Sequence, residues 1–197
     1  MKRALLVGLS AVTLVLTGCQ DNPTPPAASP TTDATSAAPS ESPSSSPSAE
    51  PSGRPFTTEP SDAEGSDLGS TTVSRIRSGS NQGFDRLVLD LKGPAPAWQA
   101  EYVDRLVNDG SGEPAPINGV RNLLVVVQAT GYDVNTGDPV FQGPNVARPR
   151  LTTLKAWSVT GDFEGQFSVG LALNSDAPYR VFALTKPSRL VIDVQHP

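Results

Sequence analysis

The chain has 197 residues and a formal net charge of −5, and that charge is unevenly placed. Between Gln20 and Leu68 the acids Asp21, Asp33, Glu41, Glu50, Glu59, Asp62, Glu64 and Asp67 face Arg54 alone, whereas from Gly69 onward acids and bases balance. A near-neutral folded part behind an acidic segment has no electrostatic footprint for nucleic acid and no basic patch to hold it flat on an anionic membrane.

Lys2 and Arg3 precede an apolar run from Ala4 to Leu16, which closes on Leu16-Thr17-Gly18-Cys19. A charged start and a short apolar core make an export signal, and the run is too short to span a bilayer stably. Leu-Thr-Gly-Cys resembles the lipobox of bacterial lipoprotein signals. The resemblance implies a diacylglyceryl group on the Cys19 sulfur and removal of residues 1–18. The protein would then be lipid-anchored on the extracytoplasmic face of the cell membrane. Without that context Cys19 reads as a free core cysteine of a cytosolic protein, a reading that the signal-like flank opposes. Because Cys19 is the only cysteine, no disulfide is available, and burial alone must hold the fold.

From Cys19 to Leu68 the chain is rich in Pro, Ser, Thr and Ala, with Phe56 as its sole aromatic residue. So little apolar area cannot offset the entropy of ordering, which predicts a disordered linker over 19–68. Its reach is on the order of 40 Å as a coil and up to about 150 Å if extended. Ser and Thr mixed with Pro resemble an O-glycosylated stalk; an unmodified linker fits the composition equally.

From residue 69 to the C-terminus short β-type runs alternate with turn signals. Thr72 to Ile76 alternates weakly, and Arg86 to Leu91 follows between Gly83 and Gly93-Pro94. Trp98 to Val107 is mixed, and Val103 to Val107 is open to a helical turn. Asn122 to Val127 reads as a strand buried on both faces. Leu154 to Val159 and Gln166 to Leu173 flank Thr160-Gly161-Asp162-Phe163-Glu164-Gly165, a hairpin signal. Tyr179 to Leu184 and Arg189 to Val194 close the domain around Lys186-Pro187-Ser188. About eight short strands and no sustained helical period predict an all-β fold, a single β-sandwich.

Two strands echo each other: Asp85-Arg86-Leu87-Val88-Leu89-Asp90-Leu91 and Ser188-Arg189-Leu190-Val191-Ile192-Asp193-Val194. Each puts three large aliphatic residues on one face and an Arg, a Val and an Asp on the other. The echo is either a structural repeat or convergence on a common β pattern. These two stretches, with Gly83-Phe84, Gly161-Asp162-Phe163-Glu164-Gly165-Gln166, Pro178-Tyr179-Arg180-Val181 and Pro187, resemble the AMIN-like domain of actinobacterial lipoproteins. The resemblance covers about Ser70 to the C-terminus. It implies a β-sandwich of two small sheets. Related AMIN domains, in cell-wall amidases and pilus secretins, are non-catalytic and bind peptidoglycan, so the same role here is an analogy.

The residues offer little for catalysis. The lipidated Cys19 cannot serve as a nucleophile, and His196, the only histidine, reads as frayed tail with no second histidine for a zinc site. Asp133-x-Asn135-x-Gly137-Asp138 starts like a calcium loop, but Pro144 stands where the closing Glu belongs, so a turn explains it better. No metal and no cofactor is expected. Asp90 and Asp193 would form a hydrolytic carboxylate pair only if the echoed strands are neighbours. Each follows an Arg by four positions on its own strand, and salt-bridged sheet surface is the simpler reading. For binding, Trp98, Tyr102, Trp157, Phe163 and Tyr179 are the aromatic candidates. Trp157 is open to a core position, and Phe163 is either a plug or a contact at its turn. Arg86 and Arg189 are candidates for wall carboxylates. The expected role is attachment to peptidoglycan, then an adaptor for another envelope protein, and last a glycan hydrolase.

Overall fold

The computed structural model describes residues 54–197; the run expected to be an export signal, Cys19 and the rest of the chain up to residue 53 lie outside the described residues. The strands are β1 (Ser61–Ala63), β2 (Thr72–Asn81), β3 (Phe84–Lys92), β4 (Trp98–Val103) and β5 (Arg121–Val127). They continue with β6 (Val146–Ala147), β7 (Leu154–Phe163), β8 (Gln166–Leu173), β9 (Tyr179–Thr185) and β10 (Ser188–Gln195). There is no helix among the described residues. One sheet has six strands in the order β1-β4-β5-β8-β7-β6, and the other has four in the order β2-β3-β10-β9. Neighbouring strands are antiparallel throughout. The all-β sandwich expected from the sequence is the fold.

The core lies between the sheets and is built from period-two alternation. Leu87, Leu89 and Leu91 of β3 and Leu190, Ile192 and Val194 of β10 meet Leu123, Val125 and Val127 of β5 and Val169, Leu171 and Leu173 of β8. β8 is apolar on both faces because a second cluster covers the outside of the six-stranded sheet. There Leu106 and Ile117, from the segment between β4 and β5, pack on Ala156 and Ala172. Gly170 makes room: a Cβ at that position would lie 2.7 Å from Leu106. The buried Asn122 fastens both ends of the covering segment, accepting from Gly119 N at 3.0 Å and donating to Asp104 O at 3.1 Å. Val103 ends β4 and Val107 bridges to Pro114, so the helical turn considered for this stretch is not formed.

The β7–β8 turn is shorter than the sequence suggested. β7 runs on to Phe163, which leaves Glu164-Gly165 as a two-residue loop with both φ angles positive, 51° and 79°. That is the hairpin geometry whose twist matches the flanking strands.

Two expectations for the ends of the domain are corrected. Residues 54–68 belong to the fold and not to a linker reaching Leu68. Thr57 and Tyr179 exchange backbone hydrogen bonds of 2.8 Å in both directions, β1 pairs with β4, and Arg54 Nη1 donates to Val181 O at 3.0 Å. This segment is held by backbone pairing, which leaves almost no trace in composition. His196 is likewise not frayed. Its backbone N–H donates to Gly83 O at 2.9 Å, and its Nε2 lies 2.9 Å from Asp85 Oδ1. Asp85 is fully buried and joins the two sheets, since its Oδ2 accepts the N–H groups of Thr153 at 2.6 Å and Leu154 at 2.9 Å.

Candidate functional site

The echoed strands are neighbours, and their antiparallel register sets the outer face of the four-stranded sheet. Arg86 stands opposite Asp193 and Asp90 opposite Arg189, with Val88 opposite Val191 between them. Two copies of Arg-Leu-Val-x-Asp paired head to tail place each Arg across from an Asp. β2 and β9 extend these pairs into three rungs: Arg75-Asp90-Arg189-Leu184, Arg77-Val88-Val191-Phe182 and Gly79-Arg86-Asp193-Arg180. Val88, Val191 and Phe182 are buried in the middle rung, with Leu184 packed against them. The face therefore has an apolar centre beneath an arginine layer, whose long stems cover apolar surface while the charges stay wet.

The charges are unequally satisfied. Asp193 is fully buried between Arg86, at 2.7 and 2.9 Å, and Arg180, at 2.8 Å. Arg77 takes Asp90 with two hydrogen bonds of 2.7 Å, and that bond is the main cause of its raised pKa. Pairing thus runs across strands and not along them, as the four-residue Arg–Asp spacing had suggested. With Asp90 occupied, Arg189 keeps a buried Nε that has no hydrogen-bond partner among the described residues. Arg75, exposed at the edge, makes no ion pair among them. Among the described residues five arginines share this face with two aspartates, so the even charge balance of the sequence does not carry over to the surface.

Aromatic rings line one end of the face. The guanidinium of Arg180 lies 4.6 Å from the Phe56 ring centroid and 5.3 Å from that of Phe84, and that of Arg86 lies 5.0 Å from Phe84. These distances are those of cation–π contact. At the other side, a cleft of about 960 Å³ runs along the edge strand β2 against Val140–Pro144, lined by Arg75, Arg77, Asp90, Lys92 and Gln142 among others.

The structure brings Arg86 and Arg189 together on this face and sets the aromatic candidates apart. Trp157 is 2% exposed and part of the core, so it has no face to offer a ligand; a bulky apolar residue on a central strand fills the sandwich first. Trp98 and Tyr179 are core residues as well, and half-buried Tyr102 stands edge-on to Tyr179. Phe163 is 65% exposed at the β7–β8 tip, on the other sheet. It is not a plug. Leu68, 60% exposed, sits against the same turn, where a Cβ on Gly165 would lie 3.2 Å from it. The Asp133 loop spends its carboxylate on its own turn, accepting from the N–H groups of Asn135 and Thr136. Asp90 and Asp193 stand on adjacent strands but are each held by arginines, which is the salt-bridged surface reading. Sequence reasoning missed Arg75, Arg77, Arg180 and Phe56. The first three were visible only as outward positions of alternating strands.

No curated protein matches the chain. A family model described as the AMIN-like domain matches residues 71–196, which takes in both sheets except β1 and the segment before it. With most of its length under that match and the echoed strands paired at the centre of the fold, the chain belongs to the AMIN-like domain family.

Proposed function

We propose that this protein is a membrane-anchored, extracytoplasmic lipoprotein whose AMIN-like domain binds peptidoglycan without catalysing a reaction on it. The observation that carries the reading is the outer face of the four-stranded sheet. Among the described residues arginines exceed aspartates there, Arg189 holds a buried Nε without a hydrogen-bond partner, and phenylalanine rings line one end. Guanidinium groups suit wall carboxylates through paired hydrogen bonds, and the rings suit the apolar faces of sugars. The lipobox-like run ending at Cys19 supports a lipid anchor, and the Pro/Ser/Thr stretch after it supports a tether. Sedimentation of the chain from Gln20 onward with purified peptidoglycan tests the proposal. Arg189→Ala with Arg75→Ala should bring down less protein while the domain stays folded at the temperature of the assay. Sedimentation of the double variant at the wild-type level would overturn the assignment of this face.

Phe163 and Leu68 favour a second reading, an adaptor for another envelope protein. Two large apolar side chains exposed against one turn are the kind of patch that marks a protein contact. Loss of a co-purifying envelope protein on Phe163→Ala, with peptidoglycan binding retained, would support this role for the turn.

A further inference from the structure

A second cationic site lies on the opposite sheet. A cavity of about 260 Å³ opens between the segment Pro116-Ile117-Asn118 and the start of β7, and Arg148, Arg150 and Lys155 line it together with Ala156. The lining contains three cations and no acid. No carboxylate among the described residues is ion-paired with any of the three. Two of them are held by backbone carbonyls: Arg148 Nη2 donates to Pro116 O at 2.8 Å and Lys155 Nζ to Asn118 O at 3.0 Å. The third, Arg150, has φ at 53°, in the left-handed region that a long side chain rarely adopts. A strained residue beside uncompensated like charges costs stability, and such strain concentrates at binding sites. Beneath the cations the lining is apolar, since Ile117 and Ala156 are both buried.

We propose that this cavity binds a carboxylate carried next to a small apolar group, as at the free C-terminus of a short peptide ending in alanine. Guanidinium and ammonium groups at the rim meet the carboxylate, and the floor of Ile117 and Ala156 takes a methyl group. A bare phosphate would leave that floor uncovered. The inference deepens the peptidoglycan reading and rests on it for the source of the peptide, because wall stems present such termini.

The test needs no cell wall. The soluble chain from Gln20 onward, labelled with ¹⁵N, is titrated with N-acetyl-D-alanyl-D-alanine, with its C-terminal amide and with inorganic phosphate. The free acid should shift the amide signals of Asn118, Arg150 and Lys155, and the C-terminal amide should not. Arg150→Gly removes the guanidinium and accepts the positive φ without strain. It should weaken binding about tenfold, the worth of one charge-assisted hydrogen bond, while the melting temperature stays level or rises. Lys155→Gln should weaken binding similarly. Unmoved signals, equal binding of the C-terminal amide, or phosphate binding as tight as the acid would each overturn the proposal. If the signals stay unmoved while peptidoglycan still sediments the chain, the cavity is excluded and the four-stranded face remains the wall site. Shifts without sedimentation would confirm the cavity and count against peptidoglycan as the source.

Discussion

Asp85 shows how much one buried side chain can decide. Burial, the largest single influence on it, raises the pKa of its carboxyl. Hydrogen bonds from Leu154, His196, Thr153 and Ser80 together outweigh burial and hold the pKa below the ordinary value of 3.8. A depressed folded-state pKa means that the unfolded chain takes up the proton first as pH falls. The stability contributed is therefore complete above about pH 5 and fades as pH drops through and below the unfolded value near 4. Asp85→Ala should lower stability at pH 7 by on the order of 1–3 kcal/mol for each of the Thr153 and Leu154 N–H groups left without an acceptor. It should also flatten the acid limb of the stability profile. Denaturant titrations between pH 3 and pH 7 check both; an acid limb as steep as in the wild type would show that another carboxylate governs it. Phe163 is the opposite case. Its ring is mostly in solvent, so Phe163→Ala should change stability by no more than about 0.5 kcal/mol, as for other surface positions. A loss of about 3–5 kcal/mol, the cost of truncating a packed Phe, would show the ring to be buried in solution.

At the level of elements, the sequence displayed strands well and their boundaries poorly. The aliphatic triplets Leu87-Leu89-Leu91 and Leu190-Ile192-Val194 form the core face of β3 and β10, as alternation required, and the Arg/Val/Asp positions between them form the outer face. What alternation could not show was adjacency, since one strand carries no mark of its partner. Once the pair is known to be antiparallel, the echo itself explains why each Arg meets an Asp. The segment Arg54–Leu68 was illegible for another reason. It is polar and proline-bearing, and it is attached through main-chain bonds at Thr57 and β1 and through stacking of Arg180 on Phe56. It also brings Glu59 O to 2.8 Å from the Tyr179 hydroxyl, whose single proton it shares with Ala100 O of β4 at 2.7 Å. A chain starting at Gly69 should therefore be less stable than one starting at Arg54, although β2 to β10 are all present. The midpoints of urea unfolding for the two chains check this. Equal midpoints would mean that the segment only decorates the sandwich.

At the scale of the whole domain, the distribution of charge matters more than its sum. Residues 54–197 contain sixteen acids and thirteen bases, so the described part is net acidic. Even so, one sheet face gathers Arg75, Arg77, Arg86, Arg180 and Arg189, while Asp162 and Glu164 stand with Phe163 at the β7–β8 tip on the other sheet. A polymer bearing carboxylates is drawn to the first surface and repelled by the second. The domain should therefore dock on the wall through the arginine face even though its net charge is unfavourable. Attraction of this kind between solvent-exposed groups is screened by salt, because the Debye length shrinks from about 10 Å at 0.1 M to about 3 Å at 1 M. Arg77 is offset by Asp90, and the single buried Asp193 offsets one of the two charges of Arg86 and Arg180, so Arg75 and Arg189 carry most of the excess positive charge of the face. Peptidoglycan binding should then weaken steeply between 0.05 and 0.5 M NaCl in the wild type. It should be weaker and depend less steeply on salt in the Arg75→Ala, Arg189→Ala variant. Binding that ignores salt in both proteins would mean that sugar stacking, and not charge, holds the domain to the wall.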